Sequence, residues 1–307
     1  MHTDFDCIII GAGAAGLSAG LYAARGRVNT LIIERGDIGG QTATTHLVDN
    51  YPGSIENPTG PQLMDRMKEQ CLQFGAKISQ ETLEEVYREG QIFKVTTNKG
   101  EYLTKTLIIA TGAEPKQAGF KGEKEYRGRG ISYCATCDGD FFEDLDVAVI
   151  GGGDAAVEEA IYLTRFAKKV TIIHRRDQLR AVKSIQEKAF ANEKIDFVWD
   201  SVVEEVKGTG VVQSIVLLNK KTNELTELKI DGVFVYIGYT PNSSLFKDLV
   251  ETDELGYIIG DQEMRTNVPG IFVAGDVRQK SLKQVITAAA DGAIAGVNVE
   301  KYITENF

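Results

Sequence analysis

The apolar positions of the chain form two copies of one pattern. In the first copy, FDCIII predicts a strand that ends at Ile10, and helical spacing continues to Ala24. The apolar run TLIIE then predicts a second strand, which ends at Glu34. In the second copy, VAVIG predicts a strand, VEEAIYLTRFA a helix, and KVTIIH a strand that ends at His174. Short apolar runs that alternate with helical patterns are typical of parallel α/β sheets.

Glycines stand at matched positions in the two copies. The turns read Gly11-x-Gly13-x-x-Gly16 and Gly151-x-Gly153-x-x-Ala156. In such a turn the first glycine permits a tight bend, and the second lets the backbone approach a pyrophosphate. The third small residue lets the helix pack closely on the strand. The pattern predicts two Rossmann-like sites that bind dinucleotide phosphates at helix N-termini.

The strand ends differ in charge. Glu34 follows Gly11 by 23 residues, and an acid there binds the hydroxyls of a ribose. His174 follows Gly151 by the same 23 residues, and it is followed by Arg175, Arg176 and Arg180. The acid would repel a 2′-phosphate, whereas arginines bind one through charge-assisted contacts. A solvated basic face is the alternative for the arginines, and their position at the strand end favours the phosphate site.

Two later segments, TLIIATGAEP (106–115) and GIFVAGDV (270–277), are apolar strands that end in a small residue and glycine. Such ends can approach a cofactor, and Asp276 is placed to bind hydroxyls of a ribityl or ribose chain. Ordinary buried strands remain the alternative. Antiparallel strands are expected around 90–104 and 202–230.

The order of these segments predicts an α/β fold with two Rossmann-like nucleotide-binding domains, the second inserted into the first. Residues 1–114 and 242–307 would form the first domain, and 115–241 the second.

Composition narrows the function classes. The 307 residues are 43% hydrophobic and 25% charged, which is ordinary for a globular protein. The net charge of −10 argues against nucleic acid as a partner. Glycines interrupt the apolar run 7–24, which argues against a membrane span. Acids stand where an export signal would be basic, so we expect a cytoplasmic protein without a membrane partner.

Cys134 and Cys137 form a CxxC that Asp138 follows directly. This pair has three interpretations: half of a metal site, a structural disulfide, or a redox-active pair. Zinc needs about four ligands, and Cys7 and Cys71 stand isolated, so we expect no metal. In a reducing compartment a CxxC is catalytic or metal-binding more often than structural, which leaves thiol–disulfide exchange.

Seven motifs together resemble the low-molecular-weight (bacterial-type) thioredoxin reductases, within the flavoprotein disulfide reductase family. They are GAGAAG (11–16), GGQ (39–41), ATG (110–112), CATCDG (134–139), GGGDAAVEEA (151–160), HRRDQLRA (174–181) and AGDV (274–277). The resemblance runs essentially end to end. It implies a homodimeric oxidoreductase that reduces thioredoxin with NADPH, through FAD and a redox-active Cys134–Cys137 pair. It also implies that the domains rotate about crossings near 113–117 and 240–244.

The resemblance implies site residues too. FAD would contact Gly11, Gly13, Ala14, Ala15, Glu34, Arg35, Gly40, Gln41, Asn50, Thr111, Gly112, Gly275, Asp276, Lys283 and Gln284. NADPH would contact Gly153, Asp154, Ala155, His174, Arg175, Arg176, Arg180, Ile237 and Gly238. Cys137 would lie against the flavin, Cys134 would attack thioredoxin, and Asp138 would protonate the departing thiolate. Apart from the resemblance, the loop 119–130 carries four basic residues on an acidic chain. A solvated loop is one interpretation, and a surface that meets the partner through Arg129 and Phe141 is the other.

Three rival functions stay open at this stage. A ferredoxin-linked flavin thioredoxin reductase would have no need of the three arginines. The reductase component of a peroxiredoxin system usually carries an extra N-terminal redox domain. A non-catalytic flavin sensor would have little use for both the CxxC and a 2′-phosphate site.

Overall fold

A computed structural model describes residues 2–44, 48, 50–54 and 59–307. The chain forms two compact units. Unit 1 comprises Met1–Glu114 and Thr240–Phe307, and unit 2 comprises Pro115–Tyr239. The chain therefore returns to unit 1 at Thr240, two residues earlier than the predicted boundary at 242. Short strands β7 (Ala113–Pro115) and β16 (Tyr239–Pro241) lie at the crossings.

Unit 1 is built on a mainly parallel sheet with an antiparallel extension. Its strands are β1 (Phe5–Ile10), β2 (Thr30–Glu34), β3 (Lys77–Gln80), β4 (Leu83–Glu89), β5 (Ile92–Thr97), β6 (Gly100–Ile109) and β17 (Ile271–Val273). The order is β3-β2-β1-β6-β5-β4, and β17 adds parallel to β6. β1 pairs in parallel with β2 and β6, whereas β4, β5 and β6 pair antiparallel. Residues 7–10 are buried on both faces of the sheet, which explains their unbroken apolar run.

The helices of unit 1 are α1 (Ala14–Arg25), α2 (Gly60–Gln73) and α6 (Val285–Asn306). α1 and α6 pack closely because small residues line their contact. A side chain at Gly292 would strike the carbonyl of Ala15, and a Cβ at Gly296 would lie 2.6 Å from the carbonyl oxygen of Ala19. The start of α1, where the glycine turn lies, is thereby fixed against α6.

Unit 2 contains a parallel sheet and an antiparallel sheet. Its strands are β8 (Ile131–Ser132), β9 (Asp146–Gly151), β10 (Lys169–Ile173), β11 (Ile195–Val198), β12 (Ser201–Gly208), β13 (Val212–Asn219), β14 (Leu225–Lys229) and β15 (Gly232–Tyr236). The parallel order is β11-β10-β9-β15-β8, and β12, β13 and β14 form the antiparallel sheet. Its helices are α3 (Ala135–Asp138), α4 (Asp154–Leu163) and α5 (Lys183–Phe190). Two buried apolar clusters lie on the two faces of the β9–β10–β15 core.

In each unit, a backbone hydrogen bond joins the two segments at which the chain passes to the other unit. In unit 1 the Asn242 N–H donates to the Gly112 carbonyl at 3.0 Å. In unit 2 the Lys116 N–H donates to the Gly238 carbonyl at 2.9 Å.

The predicted α/β architecture is confirmed, with small differences at element ends. α4 ends at Leu163 rather than near Ala167, and the Thr164 hydroxyl donates to the Ile161 carbonyl at 2.7 Å. Such side-chain bonds compete with the backbone ladder and favour helix ends. Within the described ranges, no helix is long and apolar enough to cross a membrane.

Candidate functional site

The first glycine turn leaves an open surface at the start of α1. Gly11 has φ +106°, and a side chain there would strike the Ala110 carbonyl. A Cβ at Gly13 would meet nothing within 4 Å among the described residues. A Cβ at Gly40 would lie 3.6 Å from the Cα of Gly13, so Gly40 flanks the same surface. Ala14 and Ala15 follow in the first turn of the helix. This bare backbone fits the approach of a pyrophosphate.

Glu34 is fixed beside that turn. Its Oε2 accepts the Ala12 N–H at 2.7 Å, and its Oε1 accepts the Gly36 N–H at 2.9 Å. Carboxylate oxygens have further lone pairs, so the group can still accept hydroxyls of a ribose. Arg35 points elsewhere, because its guanidinium pairs with Glu114 at 2.8 Å at an exposed position.

Other residues expected around the first cofactor meet in pairs. The Asn50 amide donates to Oε1 of Gln284 at 3.0 Å, at the N-terminus of α6. The Gln41 amide donates to the Ala113 carbonyl. Thr111 and Gly112 follow β6, and the Thr111 hydroxyl donates to the Asn242 carbonyl at 2.7 Å.

A buried cluster of charges surrounds Asp276. Oδ1 of Asp276 is buried and makes no hydrogen bond within the described residues, and the Lys280 ammonium lies 3.7 Å away. Burial raises the pKa of Asp276, and Lys280 and Lys283 oppose that effect. Asp291 accepts the Gly275 N–H at 3.1 Å and the Lys280 ammonium at 3.0 Å. A buried carboxylate oxygen without a hydrogen bond fits a hydroxyl of a ligand chain.

Lys283, three residues after Lys280, lies over an aromatic ring. Its Nζ stands 4.2 Å from the centroid of Tyr257. Burial lowers the pKa of this lysine, which marks an ammonium drawn partly out of water.

In unit 2 the second glycine turn carries His174 and Arg180. A side chain at Gly152 would strike the His174 ring, and a Cβ at Gly153 would lie 3.9 Å from the Arg180 guanidinium. Nε2 of His174 is buried and makes no hydrogen bond to any described residue. Burial lowers the pKa of His174, and Arg180, Arg176 and Arg175 lower it further. The neutral imidazole therefore offers a free nitrogen beside the turn.

The predicted arginines line a cavity of about 530 Å³. Its charged lining residues are Arg175, Arg176, Arg180, Lys183, Lys221, Asp177 and Asp200. Nζ of Lys221 lies 3.1 Å from Asp177 and 2.9 Å from Asp200, so one ammonium is shared between the two acids and offsets only part of their charge. The remaining cations make the cavity positive, which fits a phosphate group.

A second cavity of about 270 Å³ connects these residues to the end of β15. Its lining includes Gly151, Gly152, His174, Tyr236 and Ile237. Gly238 follows with φ +113°. On the helix side of the turn, Asp154 accepts the Val182 N–H at 2.7 Å, and Ala155 is exposed beside it.

Cys134 and Cys137 form a disulfide in unit 2, with their Cα atoms 5.3 Å apart. Cys134 is the N-cap residue of α3, and both sulfurs belong to half-buried residues. The turn is closed by backbone bonds from the N–H groups of Cys137 and Asp138 to the Cys134 carbonyl, at 3.3 and 3.1 Å. Because both cysteines are half-buried, the disulfide is partly accessible, which suits attack by or on an external sulfur.

Ser132 ties Asp138 to this turn. The Ser132 hydroxyl donates to Oδ2 of Asp138 at 2.6 Å and accepts the Cys134 N–H at 3.0 Å. The carboxyl group is therefore held beside the residue that carries the first sulfur.

Sequence reasoning missed several residues of these sites. Lys183 and Lys221 line the arginine cavity, Ser132 holds Asp138, and Tyr236 lies between the smaller cavity and α3. Lys183 stands three residues after Arg180, a signal that was available. Lys221 comes from the distant β13–β14 hairpin, for which local sequence carries no signal. Within the described part of the chain, no group of three or more metal-binding side chains comes together.

Comparison with known proteins gives a consistent result. The family model for "Pyridine nucleotide-disulphide oxidoreductase" matches residues 5–292. Thioredoxin reductase of Peptoclostridium acidaminophilum is 54% identical, over 100% of this chain and 99% of the relative. That of Bacillus subtilis (strain 168) is 50% identical, over 98% of this chain and 95% of the relative. The crystal structure of thioredoxin reductase from Streptococcus pyogenes MGAS5005 matches with a TM-score of 0.90 and 50% identity, covering 99% of each chain. The chain belongs to the thioredoxin reductases of the pyridine nucleotide-disulphide oxidoreductase family.

Proposed function

We propose that this enzyme reduces the disulfide of thioredoxin with electrons from NADPH, through FAD and the Cys134–Cys137 pair. The observation that carries the proposal is a half-exposed disulfide beside Asp138, in the same unit as a cavity lined by three arginines. The first feature suits disulfide exchange, and the second suits a coenzyme with a 2′-phosphate.

Unit 1 is the proposed FAD domain. The bare backbone at Gly13 and Gly40 would take the pyrophosphate, and Glu34 the ribose of the adenosine. Oδ1 of Asp276, which makes no hydrogen bond within the described residues, would accept a hydroxyl of the ribityl chain. Asn50, Gln284 and Lys283 would complete the site. When bound, FAD supplies two-electron chemistry between the nicotinamide and the disulfide.

Unit 2 is the proposed NADPH domain. The turn at Gly153 would take the pyrophosphate, and Arg175, Arg176 and Arg180 the 2′-phosphate. His174 would offer its free nitrogen to the same group. Lys221 pairs with both acids of the cavity wall, and the lining cations outnumber the acids, so positive charge remains for the ligand.

The two sulfurs have different tasks. Two electrons delivered to the pair break the S–S bond, and Cys137 is the sulfur that receives them. The Cys134 thiolate attacks one sulfur of the thioredoxin disulfide, which forms a mixed disulfide and releases a thiolate. Asp138, held by Ser132, gives that thiolate its proton. The Cys137 thiolate then attacks Cys134, which restores the pair and releases the second thioredoxin sulfur.

The partner would approach the loop 119–130. Arg129 is exposed in this loop, and the guanidinium of Arg127 lies 5.1 Å from the ring centroid of Tyr133, the residue before Cys134. Phe141 is 47% exposed beyond the second cysteine. An aromatic side chain and arginines around a reactive disulfide suit a small transient interface.

A second copy of the chain is the proposed partner in a homodimer. The outer face of α6 exposes Ile286, Ile294 and Val297 at helical spacing, and Tyr22 is exposed on the neighbouring α1. Apolar residues on packed helices of one face are typical of interfaces between identical subunits.

A cytoplasmic location is proposed from the remaining cysteines. Cys7 and Cys71 are buried free thiols, and burial raises the pKa of Cys7 to about 12 and that of Cys71 to about 11. Thiols of this kind fit a reducing compartment.

The test is NADPH oxidation by the purified holoenzyme, with and without thioredoxin. We expect turnover only when thioredoxin is present, and we expect Cys134→Ser and Cys137→Ser to abolish it while NADPH still bleaches the flavin. Bleaching by reduced ferredoxin but not by NADPH would favour the ferredoxin-linked reductase. Turnover with a peroxiredoxin system but not with thioredoxin would favour the other rival.

A further inference from the structure

Tyr236 lies between the nucleotide cavity and the redox-active disulfide. It is the last residue of β15, opposite Gly151 of β9 in the parallel register. It lines the cavity of about 270 Å³ together with Gly151, Gly152 and His174. Its side chain points toward α3, where the Tyr236 hydroxyl accepts the N–H of Ala135, the residue directly after Cys134.

This hydrogen bond holds the N–H of Ala135, which none of the turn's other hydrogen bonds, to the Cys134 carbonyl and to the Ser132 hydroxyl, engages. Ala135 is 1% exposed, so water cannot replace the tyrosine as a partner of its N–H. In the oxidised protein the disulfide itself clamps Cys134 to Cys137. Once that bond is broken, the turn depends on its hydrogen bonds alone. The support from Tyr236 therefore matters more to the dithiol than to the disulfide.

The surroundings of Tyr236 keep its hydroxyl protonated. Burial raises its pKa, and the nearby charge of Glu159 raises it further. The ring packs against the apolar cluster that also contains Ala135, Phe142 and Phe234. A ligand in the smaller cavity would contact a side chain that has few ways to move.

We propose that Tyr236 is a positioning residue that couples occupancy of the nucleotide cavity to the redox equilibrium of Cys134–Cys137. A ligand against Tyr236 and Gly152 holds the hydroxyl under Ala135 and so favours the dithiol. By linkage, the dithiol form binds the nucleotide more tightly by the same factor. The inference rests on the proposed function, in which unit 2 binds NADPH.

The test uses a nucleotide that cannot transfer hydride. ATP-ribose (2′-phosphoadenosine diphosphoribose) keeps the 2′-phosphate and both riboses but has no nicotinamide. The holoenzyme is equilibrated in dithiothreitol redox buffers with and without ATP-ribose, and Cys134 and Cys137 are then alkylated and quantified by peptide mass spectrometry. Calorimetry on the same samples measures ATP-ribose binding independently.

We expect ATP-ribose to raise the ratio of dithiol to disulfide by about fivefold or more, the lower end of typical coupling factors. Tyr236→Phe removes only the hydroxyl. In this variant we expect ATP-ribose to change the ratio of dithiol to disulfide by less than 1.5-fold. Tyr162→Phe is the matched control, because Tyr162 packs on the same cluster, and it should behave as the natural enzyme does.

A second variant removes the donor instead of the acceptor. Ala135→Pro lacks the N–H, and proline suits the first position of a helix. Cys134 has φ −145° and ψ 101°, an extended conformation that a following proline tolerates. Ala135→Pro should lose the coupling, and the double variant with Tyr236→Phe should lose nothing more.

The outcomes separate this inference from the proposed function. Normal ATP-ribose binding without any change of the thiol ratio overturns the coupling alone, as does full coupling in Tyr236→Phe. Absence of ATP-ribose binding overturns both the coupling and the proposed nucleotide site.

Discussion

Glu34 and Arg180 place opposite charges at equivalent turns of the two units. The Glu34 carboxylate bonds to the N–H of Ala12 inside the first turn, whereas the Arg180 guanidinium lies over Gly153 of the second. Backbone geometry makes both turns suitable for a pyrophosphate, so the side chains decide which nucleotide each accepts. The contrast in charge therefore predicts coenzyme choice.

Arg180→Ala should reduce kcat/KM for NADPH by tenfold or more and leave that for NADH nearly unchanged. A charge-assisted hydrogen bond to phosphate contributes about 1.5–3 kcal/mol, and about 1.4 kcal/mol corresponds to tenfold. Steady-state kinetics with both coenzymes measures the effect. Arg165→Ala is the control, because Arg165 stacks on Tyr162 outside the cavity and carries the same charge. Equal losses for both coenzymes would contradict the assignment.

Glu159 should make stability depend on pH. Its Oε2 is buried without a hydrogen bond among the described residues, and burial, helped by Glu158, raises its pKa to about 7. Between about pH 4.5 and 7 the folded state then holds a proton that the unfolded state has lost, so stability falls as pH rises. Glu159→Gln should remove this loss and raise the melting temperature more at pH 8 than at pH 5.

The matched control for that experiment is Glu158→Gln, which changes an exposed neighbour on the same helix. Because the Glu158 charge raises the pKa of Glu159, this variant should give a smaller effect of the same sign. If the melting temperatures of the natural enzyme and Glu159→Gln differ by the same amount at every pH, the raised pKa of Glu159 is contradicted.

Local sequence predicted the arginine cavity only in part. Arg175, Arg176 and Arg180 follow a strand directly, so their position was set by the strand end. Lys221 reaches the same cavity from a hairpin far along the chain, and only tertiary packing brings it to Asp200. Tyr236 was missed because an aromatic residue at the end of a buried strand looks like an ordinary core residue.

At the scale of elements, period and glycine spacing were sufficient for the strands and helices of the two glycine turns, whereas the bounds of α2 and α5 were not predicted. The apolar run of β1 and the small residues of α1 set both their type and their bounds. Helix ends were less predictable, as α4 shows, because a single hydroxyl bond at Thr164 competes with the helix. The exposed face of α6 was not recognised as a surface. Both the buried and the exposed face of this helix carry apolar residues, so the sequence pattern does not tell them apart.

Ile294→Asp should convert a dimer into a monomer. The substitution places a charge in the middle of the exposed apolar stripe of α6, where burial against a second copy would cost several kcal/mol. Light scattering after size-exclusion chromatography measures the mass. Leu255→Asp is the control, since Leu255 is 72% exposed in a loop of the same unit. A natural enzyme that is monomeric at micromolar concentration would refute the interface.

At the scale of the whole molecule, the basic loop 119–130 stands out on a chain of net charge −10. Lys121 is engaged with Glu205 at 2.6 Å, whereas Arg129 is exposed. Charged residues at the rim of an interface act mainly on association. Thioredoxin docking should therefore depend on the arginines of the loop rather than on Lys121.

Arg129→Ala should raise KM for thioredoxin several-fold and leave NADPH-driven bleaching of the flavin unchanged. Lys121→Ala is the control for loss of one positive charge from the same loop. Stopped-flow absorbance measures the flavin, and steady-state turnover measures KM. If both variants keep the natural KM, the partner docks elsewhere.

The closure of each unit's own chain ends has a consequence for how such an enzyme can arise and be rebuilt. The bonds Asn242–Gly112 and Lys116–Gly238 leave each unit with its entry and exit side by side. Insertion of one gene segment into another then adds little loop-closure entropy, because the host ends are already together. We therefore expect the segment 115–239 to tolerate replacement or permutation at these joints while the sheet of unit 1 stays intact.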